Sequence, residues 1–301
     1  MYMAKIDTII NEDYSEIIPY NYPDYKIFFG TDALSYYSNN TVPYHWHEDV
    51  EFILPISGSA IFNINGELVH LYQNEGIFIN SKQLHYIFSD NDSDCIFIYA
   101  VIHPSLLCIS DEIKEEFIDP VISNASSSYI HLNPDITWQN IIIENIKKIN
   151  DFGTLKGSKL KIQSLFYDSW FQIYTHIDFN TSKDQVDSYH LSSLKQMIGF
   201  IQNNYTEKIT LSDIANSVNI GKSTCISLFK KYINTTPMMY VIQYRLRKSC
   251  ELLCKTDMSI TQIAYDVGFS NSSYFVETFH KHYNCTPKDF RSKQGKKHGN
   301  L

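Results

Sequence analysis

Residues 43–52 read PYHWHEDVEF, and three of them carry groups that bind cations or polar ligands. His45, His47 and Glu51 stand at i, i+2 and i+6, positions that project from one face of a β-strand. Two neutral imidazoles and a carboxylate aimed one way suit Zn²⁺, Fe²⁺, Mn²⁺ or Ni²⁺ when another donor arrives from elsewhere in the chain. They also suit the hydroxyls of a polar ligand, or a hydrogen-bonded cluster with no ligand. The elements that position them bear on the choice.

Those elements read as short strands over residues 25–104. In AIFNINGELVHLY, Asn65-Gly66 separates two alternating runs, a strong hairpin signal because both central residues of a type I′ turn need positive φ. Further strands are expected at GIFIN and CIFIYAVIH, so the region reads as a small barrel or sandwich. Over 136–178 the apolar period becomes helical. Trp138, Ile142, Ile146 and Ile149 recur, DFGTLKG interrupts, and Ile162, Phe166, Ser169 and Ile173 resume. The expectation is a helical hairpin, with Ile142, Ile146, Ile162 and Phe166 divided between covering the strands and meeting a second copy in a homodimer. The polar stretch 179–190, FNTSKDQVDSYH, reads as a linker. Three parts follow: a first domain at 1–178 that includes an N-terminal arm (1–24), the linker, and a helical domain at 191–301.

With 301 residues the chain is long enough for two cores. No apolar run reaches a membrane span and the N-terminus lacks the order of a signal peptide, so a cytoplasmic location without membrane contact is expected. The six cysteines form no Cys-x-x-Cys pair and read as reduced thiols. The net charge of −8 is divided unevenly. Residues 189–301 hold 15 basic and 7 acidic side chains, a net of +8, against −16 for residues 1–188. One end of the chain suits a polyanion and the other does not.

That basic end repeats itself. LSDIANSVNIGKSTCISLFKKYINTTP (211–237) resembles ITQIAYDVGFSNSSYFVETFHKHYNCTP (260–287). Ile214-Ala215 matches Ile263-Ala264 at an offset of 49, while Phe229, Lys231, Asn234, Thr236 and Pro237 match Phe279, Lys281, Asn284, Thr286 and Pro287 at 50. Each copy places a small residue four positions before one that tolerates positive φ: Ala215 before Asn219, Ala264 before Gly268. A helix-turn-helix needs this pair, because the small side chain lets the second helix cross closely and the turn requires a left-handed residue. Ser270 or Asn271 offers an N-cap in the second copy, whereas the first has only Gly221 and Lys222.

These stretches, with YRLRKSCELL (244–253), SITQIAYDVGFSNSSYF and TPKDFR, make the C-terminal third similar to the DNA-binding domain of AraC/XylS transcription regulators. The resemblance implies seven helices, with a connecting helix near 237–255 that presents two recognition helices to successive major grooves. It places base-facing side chains at Ser223, Ile226 and Ser227, then at Ser272, Ser273, Val276 and Glu277. Leu228, Phe229, Phe269, Phe275 and Phe279 read as core, and Lys222, Lys230, Lys231 and Lys281 as phosphate partners. Ser227 and Glu277 stand where the family commonly has Arg. Direct readout is therefore expected to yield weight to phosphate contacts and DNA shape.

Regulators of this family commonly carry a cupin-like barrel as sensor, and HWHEDVEFILPISG follows the first cupin pattern through His45, His47, Glu51 and Gly58. The second pattern is partial, with Gly76 and His85 but neither the intervening proline nor glycine. The resemblance thus implies an α+β two-domain protein: a cupin-like β-barrel with a helical hairpin, then an all-α double helix-turn-helix. Its expected partners are promoter DNA, RNA polymerase, a second copy, and a small polar effector such as a sugar held by His45, His47, Glu51 and His85. No cofactor is expected. The other open reading is a metal-dependent cupin, sensor or enzyme, joined to a DNA reader. The partial second pattern favours the effector.

Overall fold

A computed structural model describes residues 9–10, 16–22, 24–37, 40–90, 93–124, 127–153, 155–179 and 185–298, with backbone alone at 9–10, 185–188 and 293–298. The chain divides into two compact units, Met1–Ser188 and Tyr189–Leu301.

The first unit contains two antiparallel sheets. One has the order β11-β8-β5-β10-β3, built from β3 (Ile27–Ala33), β5 (Val50–Ser57), β8 (Gly76–Ile79), β10 (Ile96–Ile102) and β11 (Tyr129–Leu132). The other has the order β4-β9-β6-β7, from β4 (Thr41–His45), β6 (Ala60–Ile64), β7 (Glu67–Leu71) and β9 (His85–Ser89). A two-residue pair, β1 (Ile9–Ile10) with β2 (Glu16–Ile17), precedes them. The Asn65-Gly66 turn forms as its chemistry requires. Both residues have positive φ, 52° and 91°, and Ile64 pairs with Glu67 across the two-residue loop.

β5 shows why alternation alone does not describe this fold. Six consecutive residues from Val50 to Pro55 are buried, because both faces of its sheet are covered. Ile53 joins Phe62, Ile77, Ile79, Ile87 and Phe97 in the core between the sheets. Phe52 and Leu54 face the other way, into a core shared with the helices α3 (Thr137–Phe152) and α4 (Ser158–His176). Two shorter helices, α1 (Asp111–Ile113) and α2 (Asp119–Ile122), lie ahead of β11.

The helical hairpin forms over the expected residues, but its apolar stripe faces inward. Ile142, Ile146, Ile162 and Phe166 are all at most 2% exposed within the core against the five-stranded sheet. Burial of each is worth about 1.5–3 kcal/mol, so none is free to meet a second copy, and the division expected from sequence is corrected. The outward side of α4 carries Leu160 and Phe171 instead.

From residue 185 the described chain is helical: α5 (Gln185–Asn204), α6 (Leu211–Asn216), α7 (Lys222–Ile233), α8 (Pro237–Lys255), α9 (Ile260–Asp266), α10 (Ser272–Tyr283) and α11 (Pro287–His298). That is the expected count of seven, with the connecting helix at the expected bounds. The stretch 179–190 is not all linker, since α5 begins at Gln185 and residues 180–184 lie outside the described residues, as do 1–8, 11–15 and 23 of the expected arm. Polar composition does not stop a helix when a buried stripe such as Leu194, Met197, Ile198 and Ile201 follows and propagates backward.

Candidate functional sites: a polar cluster and two DNA readers

His45, His47 and Glu51 do not share one strand face. β4 ends at His45, residues 46–49 form a loop, and Glu51 sits on β5 in the opposite sheet. The single-strand expectation is thereby corrected: the chain turns a corner from one sheet to the other between the two histidines and the acid. The side chains converge all the same. His85 pairs with His45 across β4 and β9, and one ligand atom from each of His45, His47, Glu51 and His85 lies within 4.8 Å of the others. The loop is pinned from below. Lys82 N–H donates to His47 O at 2.8 Å, Ser81 Oγ donates to Glu48 O at 2.6 Å, and Tyr20 Oη donates to Asp49 Oδ1 at 2.8 Å.

Each of the three imidazoles is oriented by the main chain. Nδ1 of His45 donates to Pro43 O at 2.8 Å, that of His47 to Asp49 O at 3.1 Å, and that of His85 to Gln83 O at 2.9 Å. A carbonyl can only accept, so each Nδ1 carries a proton, and a hydrogen bond from Nε2 to a carboxylate needs a second proton on the ring. Nε2 of His85 and of His47 lie 3.1 and 3.4 Å from Glu51 Oε2. Burial, then the neighbouring His85 and His47 rings, hold the His45 pKa well below the imidazole range. Burial lowers that of His47 too, but the hydrogen bond and charge of Glu51 outweigh it and push it up to about 8. Glu51 is held well below the usual carboxylate range: burial would raise it, and the hydrogen bonds of His47 and His85 outweigh the burial.

Sequence reasoning missed Glu16. Its Oε2 lies 3.4 Å from His45 Nε2, and its main-chain N–H donates to Trp46 O at 2.8 Å. A two-residue strand far from the motif in sequence leaves no periodic trace.

The two helix-turn-helix units place their turns as expected. Asn219 and Gly268 both have positive φ, 55° and 88°, and Ala215 and Ala264 are buried at the crossings. Leu228, Phe229, Phe269, Phe275 and Phe279 are buried as expected. On α7, Lys222, Ser223, Ser227, Lys230 and Lys231 are exposed and Ile226 is half-buried. On α10, Ser273, Glu277 and Lys281 are exposed, while Ser272 and Val276 are half-buried. Glu277 and Lys281, one expected to read a base and the other to hold a phosphate, pair with each other at 2.8 Å. The N-cap of α10 is Asn271, accepting from Ser273 N and Tyr274 N. Gly221 caps α7 with no side-chain bond.

Arg245 is a second residue the sequence did not single out. From α8 its Nε donates to Tyr205 O at 2.7 Å and its Nη2 to Glu207 O at 2.6 Å, gripping the loop between α5 and α6. The turn of the second unit rests on the same place, for a Cβ on Gly268 would lie 2.3 Å from Tyr205 O and 2.9 Å from Arg245 Nε. One guanidinium thus ties the first reader's base to the second reader's turn.

A domain of two sheets holding a polar cluster, followed by tandem helix-turn-helix units, defines a transcription regulator with a ligand-binding and a DNA-binding domain. The AraC-like ligand binding domain family matches residues 33–107 and the helix-turn-helix domain family matches 214–293. The chain is 30% identical over 285 residues to the HTH-type transcriptional regulator YdeC of Bacillus subtilis strain 168, covering 94% of this chain and 97% of that one. It is 26% identical over 253 residues to the melibiose operon regulatory protein of Escherichia coli K12, covering 82% of each. Among solved structures, apo ToxT K231A of Vibrio cholerae matches 91% of this chain and 98% of its own at 14% identity and a TM-score of 0.42. The chain belongs to the AraC family of transcription regulators. Among the described residues no helix is long and apolar enough to cross a membrane.

Proposed function

We propose that this regulator activates transcription in the cytoplasm by placing α7 and α10 in two successive major grooves of promoter DNA, in answer to a small polar effector bound by its N-terminal domain. The observation that carries the reading is the tandem pair of positive-φ turns, each followed by a helix with an exposed polar face. Ser223, Ile226 and Ser227 face bases from the first reader, with Lys222, Lys230 and Lys231 on phosphates. Ser272, Ser273, Val276 and Glu277 face bases from the second. Because Glu277 engages Lys281, an acceptor for a cytosine amino group and a phosphate partner arrive as one unit.

The effector side rests on His45, His47, Glu51 and His85. The name of the melibiose operon regulatory protein supports a sugar-class effector. The cluster is too tight for a sugar ring to fit between its donors, so such an effector would reach it through one or two hydroxyls. Dimerisation, with RNA polymerase as the further partner, would use the outward face of α4, where Leu160 and Phe171 are 81% and 60% exposed and lie three turns apart. The relatives are regulators, which favours this reading over an enzyme fused to a DNA reader.

The test is binding of the full chain to the DNA upstream of its own operon across a salt series. Four lysine–phosphate contacts predict a log–log slope of about −3.6, and Lys230→Gln should lower its magnitude by about one. Affinity that ignores salt would sink the reading.

A further inference from the structure

We propose that Asp32, Tyr37 and Tyr99 form a subsite for the ammonium group of a small organic cation, so that the polar effector of the N-terminal domain carries a positive charge. This rests on the reading of that domain as the ligand-binding half of a regulator, and it gives the ligand its charge.

Strand register brings the three side chains together. β10 pairs with β3 so that Tyr99 stands opposite Gly30 and Phe97 opposite Asp32, and residues directly opposite one another share a face. Phe97 and Tyr99 pack in the core between the two sheets, so Asp32 lies on the same inner face. β3 is the edge strand of its sheet, and Asp32, Tyr37 and Tyr99 are all half-buried, which leaves the place open to solvent. Gly30 makes room for the phenol: a Cβ there would lie 2.8 Å from Tyr99 Oη. The hydroxyl thus lies across bare backbone, two residues along the strand from Asp32, with about 7 Å between the two Cα atoms.

Asp32 lacks a counter-charge. It accepts from Tyr37 Oη and, at 2.8 Å, from the Ala33 N–H. Both donors are neutral, and among the described residues Asp32 has no Lys, Arg or His partner. Burial pushes its carboxyl up, and the two hydrogen bonds offset part of that. Burial first, and the charge of Asp32 next, hold both phenols well above the tyrosine range, so they stay neutral. A carboxylate taken partly out of water without a counter-ion costs free energy, and a cation beside it removes that cost.

The hydrogen-bond inventory selects the kind of cation. Two of about four lone-pair sites on the carboxylate are used. Tyr37 Oη spends its proton on Asp32 and keeps its lone pairs, while Tyr99 Oη has no hydrogen-bond partner among the described residues. One carboxylate and two phenol oxygens match the three protons of a primary ammonium. The Phe28 ring, 5.0 Å from that of Tyr99, adds an aromatic face of the kind that attracts cations. The net charge of −16 over residues 1–188 draws cations to this domain and repels anions.

The experiment uses the full-length chain with ¹³C-labelled tyrosine rings, titrated through the millimolar range with propylammonium, propanol and propionate, which share one carbon chain and differ in charge. Saturable shifts of the Tyr37 and Tyr99 ring signals are expected with propylammonium alone. Asp32→Asn keeps the side-chain volume and an acceptor for Ala33, and Tyr99→Phe keeps the ring; each should weaken propylammonium binding about tenfold or more. Should Asp32→Asn fail to fold, Tyr99→Phe decides. No saturable shift with propylammonium overturns the subsite, as does propanol or propionate binding equally well, or unchanged affinity in the folded variants. DNA binding across a salt series on the same samples keeps the two readings apart: a chain that binds DNA in a salt-dependent way yet ignores propylammonium strikes the subsite alone.

Discussion

The two DNA readers share a fold and differ in how they are held. The first starts from a capping box in which Thr210 and Asp213 exchange hydrogen bonds, turns at Asn219, and opens its recognition helix on Gly221 without a side-chain cap. The second turns at Gly268, packed against Tyr205 O, and opens on Asn271, which accepts two hydrogen bonds. The faces differ too: α7 offers three lysines and two serines, whereas α10 offers an acid already paired with its lysine. The first reader is therefore suited to phosphate attraction, and the second is more tightly determined in geometry. The two units share the turn and the buried core and differ at the ends of their helices.

The largest break in this comparison should come at the turns. Gly268→Val combines about 1–3 kcal/mol of left-handed strain with a Cβ that would lie 2.3 Å from Tyr205 O, so urea unfolding should show a loss at or above the top of that range. Asn219→Gly should shift stability by no more than about 1 kcal/mol. Equal losses at the two turns would erase the distinction. Next in size is Arg245→Gln, which leaves two loop carbonyls without their charged donor and should cost about 1–3 kcal/mol. Affinity for a two-groove operator should fall more than affinity for half of it, because the clamp aligns the readers; equal falls would reduce Arg245 to packing. The smallest effects should lie at the caps. Asn271→Ala should cost about 1 kcal/mol of stability, whereas Gly221→Ser should gain a few tenths, since nothing lies within 4 Å of a Cβ there. A stability curve that moves the same way in both variants would contradict the capping difference.

Local chemistry made much of this molecule legible in sequence. The Asn65-Gly66 hairpin, the bounds of α8, the paired turns at Asn219 and Gly268 and the five core side chains of the readers follow from turn propensity and helical period within a short window. Other features depend on what stands opposite, which no period reveals. The stripe of Ile142, Ile146, Ile162 and Phe166 looks the same whether a sheet or a second subunit covers it. The loop 46–49 interrupts what reads as one strand, because the chain crosses between sheets there. Glu16 and Arg245 act through main-chain carbonyls and a distant imidazole brought near only by folding. Glu277 and Lys281 read as a base reader and a phosphate partner in sequence, and helical i, i+4 spacing joins them.

A hydroxyl-radical footprint of the full chain on its operator tests most directly whether the two readers act on one face of the duplex. Two protected segments centred about one helical turn, 10–10.5 base pairs, apart are predicted, and Gly268→Val should erase only one of them. A single protected segment in the wild type, or two segments offset by half a turn and so on opposite faces, would contradict it.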